Sequence, residues 1–246
     1  MADNNVLFYA MTALVILLIG LSKGGLGGTL GSVATPLMAL VMPADQVIGL
    51  LLPVLMITDL FAVVTHWRQW EGRILWLLLP ASLIGIAAGT FFITGVSEEV
   101  LRKGLGVIVL LFALYKIGVE PRLTNWTYRP LPWHGLLAGS VAGFTSTVAH
   151  IGGPPIAIYL LMQKQTPRAF VATNALFFAI LNWLKVPSYA YAGLFDPAKL
   201  LRIIWLLPLL PAGVWVGKWA STRIDKPTFD RLIIGLLVLT ALLLFT

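Results

Sequence analysis

The chain has 246 residues, 59% hydrophobic and 11% charged, with a mean hydropathy of +0.91, far from the averages of soluble domains. That composition marks an integral membrane protein and leaves no room within these residues for a soluble catalytic domain or an ectodomain. The net charge of +7 comes from Lys and Arg standing singly at segment ends, so no nucleic-acid partner is expected, and the lack of cysteine removes thiolate metal sites, Fe–S clusters and any thiol relay.

The first apolar run starts at Val6, after residues that include Asp3 but no Lys or Arg, and is read as mature protein rather than a signal peptide. Residues 7–42 hold Lys23 as their only charge, too long for one ordinary crossing. The stretch must be kinked, tilted or folded back, and the glycine cluster Lys23-Gly24-Gly25-Leu26-Gly27-Gly28-Thr29 is where it breaks. Segments 46–65 and 74–93 are each about one crossing long, the first carrying only Asp59 and the second no charge. Glu120 to Pro132 is a polar connector rich in Pro, Asn and Trp. Residues 133–163 repeat the first pattern, with a second break at His150-Ile151-Gly152-Gly153-Pro154-Pro155. Segment 169–192 follows, with Asn174, Asn182, Lys185 and Pro187 on it.

Internal repetition supports a duplicated architecture. Pro80, Gly85 and Gly89 recur as Pro208, Gly213 and Gly217, and Arg102 and Gly106 recur as Arg231 and Gly235. The organisation read from this is a first transmembrane repeat over 1–118, a connector over 119–132 and a second repeat over 133–246. The Lys and Arg outside Lys23 and Lys185 divide 8 to 7 between the two sides if each broken stretch crosses once. They divide 11 to 4 if each is a re-entrant pair of short helices, which the positive-inside rule prefers. The eleven include Arg68, Arg73, Lys116, Arg122 and Lys218, and both termini then face outward. Three complete crossings per half make the repeats inverted, the usual secondary-transporter plan. Eight plain crossings with parallel repeats are the alternative.

The segments GLSKGGLGGTLGSVATPLM (20–38), GFTSTVAHIGGPPIAIYLL (143–161) and FVATNALFFAILNWLK (170–185) carry a further signal. With them the chain resembles the TauE/SafE family of sulfite and organosulfonate exporters over nearly its whole length. The resemblance implies transport and export of a sulfur oxyanion or sulfonate; the direction is not readable from the residues.

The residues themselves suggest how such an anion would be held. Glycines without Cβ let backbone N–H groups converge on an anion, and helices starting near Thr29 and Pro154 add positive dipole ends. The other reading of these glycines is close helix crossing. Lys23 sits inside the first break, where an ammonium is costly unless paired, hydrated or facing a cavity. It is the first candidate for drawing in the substrate. Thr145, Ser146, Thr147 and His150 bring hydrogen-bonding groups to the second break, although Ser and Thr also bond back to helix carbonyls. The substrate set is therefore Lys23, Gly24, Gly25, Gly27, Gly28, Thr29, Thr145, Ser146, Thr147, His150, Gly152, Gly153, Asn174, Asn182 and Lys185. Aligning Pro43 with Pro167 puts Asp59 opposite Trp183, two residues from Lys185, so these charges pair, serve opposite gates or form a structural ion pair. Asp59 is also the candidate for proton coupling, because burial raises a carboxyl pKa. His66 and His134, beside Trp67 and Trp133, read as interfacial anchors.

No G-x-S-x-G, H-E-x-x-H or paired intramembrane carboxylate occurs, so neither an enzyme nor a cofactor or metal is expected. A passive anion channel would use the same polar lining and remains the runner-up. The expected fold is an all-α polytopic membrane protein of two homologous, inverted repeats, each with a broken or re-entrant first segment plus three further transmembrane helices. Its partners are the lipid bilayer of a bacterial cytoplasmic (inner) membrane and a small anion, with proton or sodium coupling and a homodimer left open.

Overall fold

The computed structural model describes residues 2–24, 31–125, 131–163, 165–223 and 225–246. Among them every regular element is helical. Residues 6–22 contain no Pro and a single Gly, so nothing stops a helix before the glycine cluster. Accordingly α1 (Ala2–Lys23) runs unbroken for 22 residues, about 33 Å at 1.5 Å per residue. The expected pair of short helices is corrected to one full-length helix and one short one, α2 (Gly31–Met38). α2 folds back along α1: Gly31 lies against Ser22, and the Thr12 hydroxyl meets Met38 Sδ at 3.8 Å.

Next come α3 (Ala44–Thr65), α4 (Gly72–Gly95) and α5 (Glu98–Gly118). Ser97 caps α5 by accepting from Val100 N at 3.4 Å, and Glu98 and Glu99 in the first turn suit the positive end of its dipole. A 3-10 turn, Glu120–Asn125, opens the connector. The second half repeats the hairpin with α6 (Pro132–Ala149) and α7 (Gly153–Met162), where Gly152 packs on Ser146 and Gly135 under the Tyr159 ring. Thr166 then caps α8 (Pro167–Tyr191), accepting from Ala169 N at 3.2 Å. α9 (Pro197–Ile203), a 3-10 turn and α10 (Leu209–Ser221) form a pair bent by 49° at Pro208, and α11 (Lys226–Leu244) ends the chain.

Among the described residues five helices, α1, α3, α4, α8 and α11, are long and apolar enough to cross a membrane, and the bent α9–α10 pair makes a sixth. Outward faces carry Trp76, Phe91, Tyr191 and Trp215, each more than 70% exposed, which suits contact with lipid. By these helices the protein is a multi-pass membrane protein.

Two kinds of helix contact organise the bundle. α1 runs parallel to α10, and α4 parallel to α6, at glycine-lined crossings: a Cβ on Gly20 would stand 3.0 Å from Gly213 Cα, and one on Gly139 only 2.9 Å from Ala81 Cβ. The repeated Gly85, Gly89, Gly213 and Gly217 serve these close approaches. α3 and α8, and likewise α5 and α11, run antiparallel. Asp59 meets Asn182 while Gly49 meets Leu194, and Arg102 reaches Leu243 O while Lys116 meets Asp230.

Lys116 corrects a second expectation. Counted as a loop charge, it is instead buried in the last turn of α5, with Nζ 2.7 Å from Glu120 and 3.0 Å from Asp230. Two carboxylates offset its desolvation and tie α5 to α11.

Candidate functional site

A cavity of about 410 Å³ opens where the two hairpins meet. α1 contributes Ser22 and Lys23 and α2 contributes Gly31 and Ser32; α3 gives Asp59; α6 and its cap give Ser146 and His150; α7 gives Gly153 and Pro154; α8 gives Asn174 and Asn182. Phe112, Tyr115, Phe170 and Phe178 supply apolar wall and Glu120 an acid at the connector end. Tyr115, Glu120 and the phenylalanines escaped the sequence reading, because an aromatic residue on an apolar helix gives no signal of facing a cavity.

Lys23 donates to Asp59 Oδ1 at 2.9 Å. Its side chain keeps 34% exposure, whereas that of Asp59 has 4%. The other carboxylate oxygen, Oδ2, accepts from Asn182 Nδ2 at 2.6 Å. Both oxygens of the buried acid are thus engaged by donors, one of them charged, the arrangement that makes carboxylate hydrogen bonds strongest. Asp59 and Lys185 make no hydrogen bond to each other; the partner of Asp59 on α8 is one turn earlier.

Lys185 lies behind the wall of the cavity rather than in it. Its side chain is fully buried, with Nζ 3.2 Å from Ser146 O, 3.1 Å from Ser146 Oγ and 3.1 Å from His150 Nδ1. The Tyr189 ring stands 5.7 Å away, and the Tyr189 hydroxyl donates to Thr147 O at 2.7 Å. His150 closes α6 in the left-handed region, at φ 56, which turns its ring across to α3. There Nε2 lies 3.0 Å from Ile48 O. A carbonyl only accepts, so Nε2 carries the hydrogen of the neutral ring and Nδ1 is left to accept from Lys185 Nζ.

The remaining candidates divide. Gly153 faces open space at the start of α7. Gly24 is used for packing, since a Cβ there would stand 2.9 Å from Gly217 Cα, and Gly152 packs within the second hairpin. The Thr145 and Thr147 hydroxyls bond back to Val141 O and Gly143 O, satisfying themselves on their own helix. Gly25, Gly27, Gly28 and Thr29 lie outside the described residues. Among the described residues no three His, Asp or Glu side chains converge as metal ligands.

A family model described as sulfite exporter TauE/SafE matches residues 12–244. Comparison with curated proteins and with solved structures finds no match.

Proposed function

The chain belongs to the sulfite exporter TauE/SafE family, and on that premise we propose that it is a secondary transporter exporting a small sulfur oxyanion or organosulfonate. The membrane is the bacterial cytoplasmic membrane and the mechanism alternating access. The observation that carries this reading is the cavity itself, which gathers Lys23, Ser146, His150, Asn174 and Asn182 from the two breaks and from α8. Lys23 is the cation and Ser146, Asn174 and Asn182 the neutral donors an oxyanion needs, with His150 in the wall beside them, and the open N-terminus of α7 at Gly153 adds a positive dipole end.

Before an anion enters, Lys23 is neutralised by Asp59. The entering anion competes with Asp59 for that ammonium, while Asn182 keeps hold of the carboxylate. The apolar stretch of Phe112, Phe170 and Phe178 receives the organic part of a sulfonate.

Alternating access requires two halves that exchange roles, and the helix directions support inverted repeats. Counterparts α3 and α8 run antiparallel, as do α5 and α11, whereas repeats of the same orientation would point equivalent helices the same way. The cross-pairs α1 with α10 and α4 with α6 are what such an exchange generates.

Thermal stabilisation of the purified protein tests this reading. Sulfite, taurine or sulfoacetate is expected to raise the unfolding temperature, with sulfate, thiosulfate and simple carboxylates as controls, and Lys23→Ala is expected to remove most of the shift. No shift with any anion would overturn the site. Flux into proteoliposomes that fails to saturate would indicate a channel in place of a transporter.

A further inference from the structure

Among the described residues, the Lys185–His150 pair makes no ion pair: the acid whose charge reaches Lys185, Asp59, does so without a hydrogen bond. All three ammonium protons of Lys185 go to neutral acceptors, Ser146 O, Ser146 Oγ and His150 Nδ1, and the side chain is fully buried. The groups around it do not balance the charge. On α3, Asp59 already holds Lys23 of α1 and Asn182; on α4, Thr90 bonds Ser188; on its own helix only the Tyr189 ring approaches. A buried charge lacking a counter-ion is costly. Both residues that make these contacts, Ser146 and His150, are also walls of the cavity. An anion resting against them is the missing counter-charge.

We propose that Lys185 and His150 form the proton site of the transporter, one proton shared between Nζ and Nδ1 and taken up when an anion occupies the cavity. This rests on the transport reading above. With the cavity empty the excess proton has nothing to balance it; with an anion present the proton and the anion neutralise each other. Each monoanion then moves with one proton in the same direction, and the cycle carries no net charge. Asp59, assigned the coupling role from sequence, has both oxygens occupied and is the fixed counter-ion of Lys23. His150 is the route in, because it touches both Lys185 and the cavity, and its Nε2 bond to Ile48 O keeps Nδ1 facing the ammonium.

The test is proton uptake on anion binding. Sodium ethanesulfonate, whose charge does not change near neutral pH, is added to wild-type protein in weakly buffered detergent solution containing a pH indicator, with thermal stabilisation read in parallel. The wild type is expected to take up about one proton per anion bound, as linkage requires of coupled sites. Lys185→Met is expected to bind more weakly and take up none, and Asp59→Asn to retain uptake. If Lys185→Met does not fold, His150→Asn, which tolerates the left-handed backbone, is expected to lose uptake in its place. Binding by the wild type without uptake, or full uptake in the variant, would overturn the proposal while sparing the transport reading. Absence of stabilisation in the wild type by ethanesulfonate and by every other anion tested would sink both.

Discussion

The two hairpins are built alike and charged differently. In the first, the lysine sits on the long helix itself: Lys23 closes α1 and meets an acid, Asp59, from α3. In the second, Ser146 occupies that level of α6 and the lysine arrives from α8, meeting only neutral groups. Matching the glycine crossings, Gly20 with Gly213 and Gly143 with Gly85, aligns Lys23 with Ser146 and Asp59 with Asn182 in the proposed repeat. The two carboxyl-derived side chains then hydrogen-bond each other across the line that relates the halves. In that proposed repeat the shape is kept and the charges differ: one hairpin holds its lysine against an acid, the other meets a lysine through neutral groups alone.

The largest effect is expected where the hairpins lean on their neighbours. Gly213→Leu puts a Cβ 2.6 Å from Leu17 O, a backbone clash that no rotamer relieves, and should cost about 3 kcal/mol. Loss of monodisperse protein on extraction would register it, and wild-type melting would show that α1 and α10 do not cross there. Asp59→Asn should cost about 2 kcal/mol, less than a fully buried pair because Lys23 keeps some water. Adding Lys23→Met should recover part of that loss, since the double variant strands no charge; strict additivity would mean the two are independent. The corresponding change at the second hairpin, Lys185→Met, strands no charge, so a smaller loss than in Asp59→Asn is the sharpest form of the contrast.

How far this could be read from sequence follows from what each residue needs. Segments 46–65 and 74–93 became α3 (Ala44–Thr65) and α4 (Gly72–Gly95) because an apolar run of that length with at most one charge has few alternatives. The hairpins were harder, since glycines mark a break without saying which side is long. Pro80 and Pro208 show the limit well: the first sits inside an unbroken α4, while the second stands at a 49° bend. The sequence alignment set Asp59 opposite Trp183, whereas the structure pairs it with Asn182. One residue turns a helix by about 100°, enough to move a side chain from lipid to cavity. Lys116 and Tyr189 were illegible for another reason, because Asp230 and Thr147, which they meet, stand on helices distant in sequence.

Smaller effects sharpen local points. Tyr189→Phe leaves Thr147 O without its donor in a buried place and should cost about 1.5 kcal/mol in thermal unfolding. Thr166→Ala removes the acceptor of Ala169 N at the start of α8 and should cost about 1 kcal/mol. A Thr166→Ala loss exceeding that of Tyr189→Phe would mean that the buried bond from α8 to the second hairpin holds less than an ordinary helix cap.

The chain contains no cysteine, so a single introduced thiol reports alone. Asn174→Cys faces the cavity, and Trp183→Cys, on the same helix, faces outward at 66% exposure. Labelling both with a small water-soluble thiol reagent, with and without a stabilising sulfonate, asks directly whether the cavity between the hairpins is the anion site. The sulfonate should protect position 174 and leave position 183 unchanged. Equal labelling at position 174 with and without the anion would contradict that assignment.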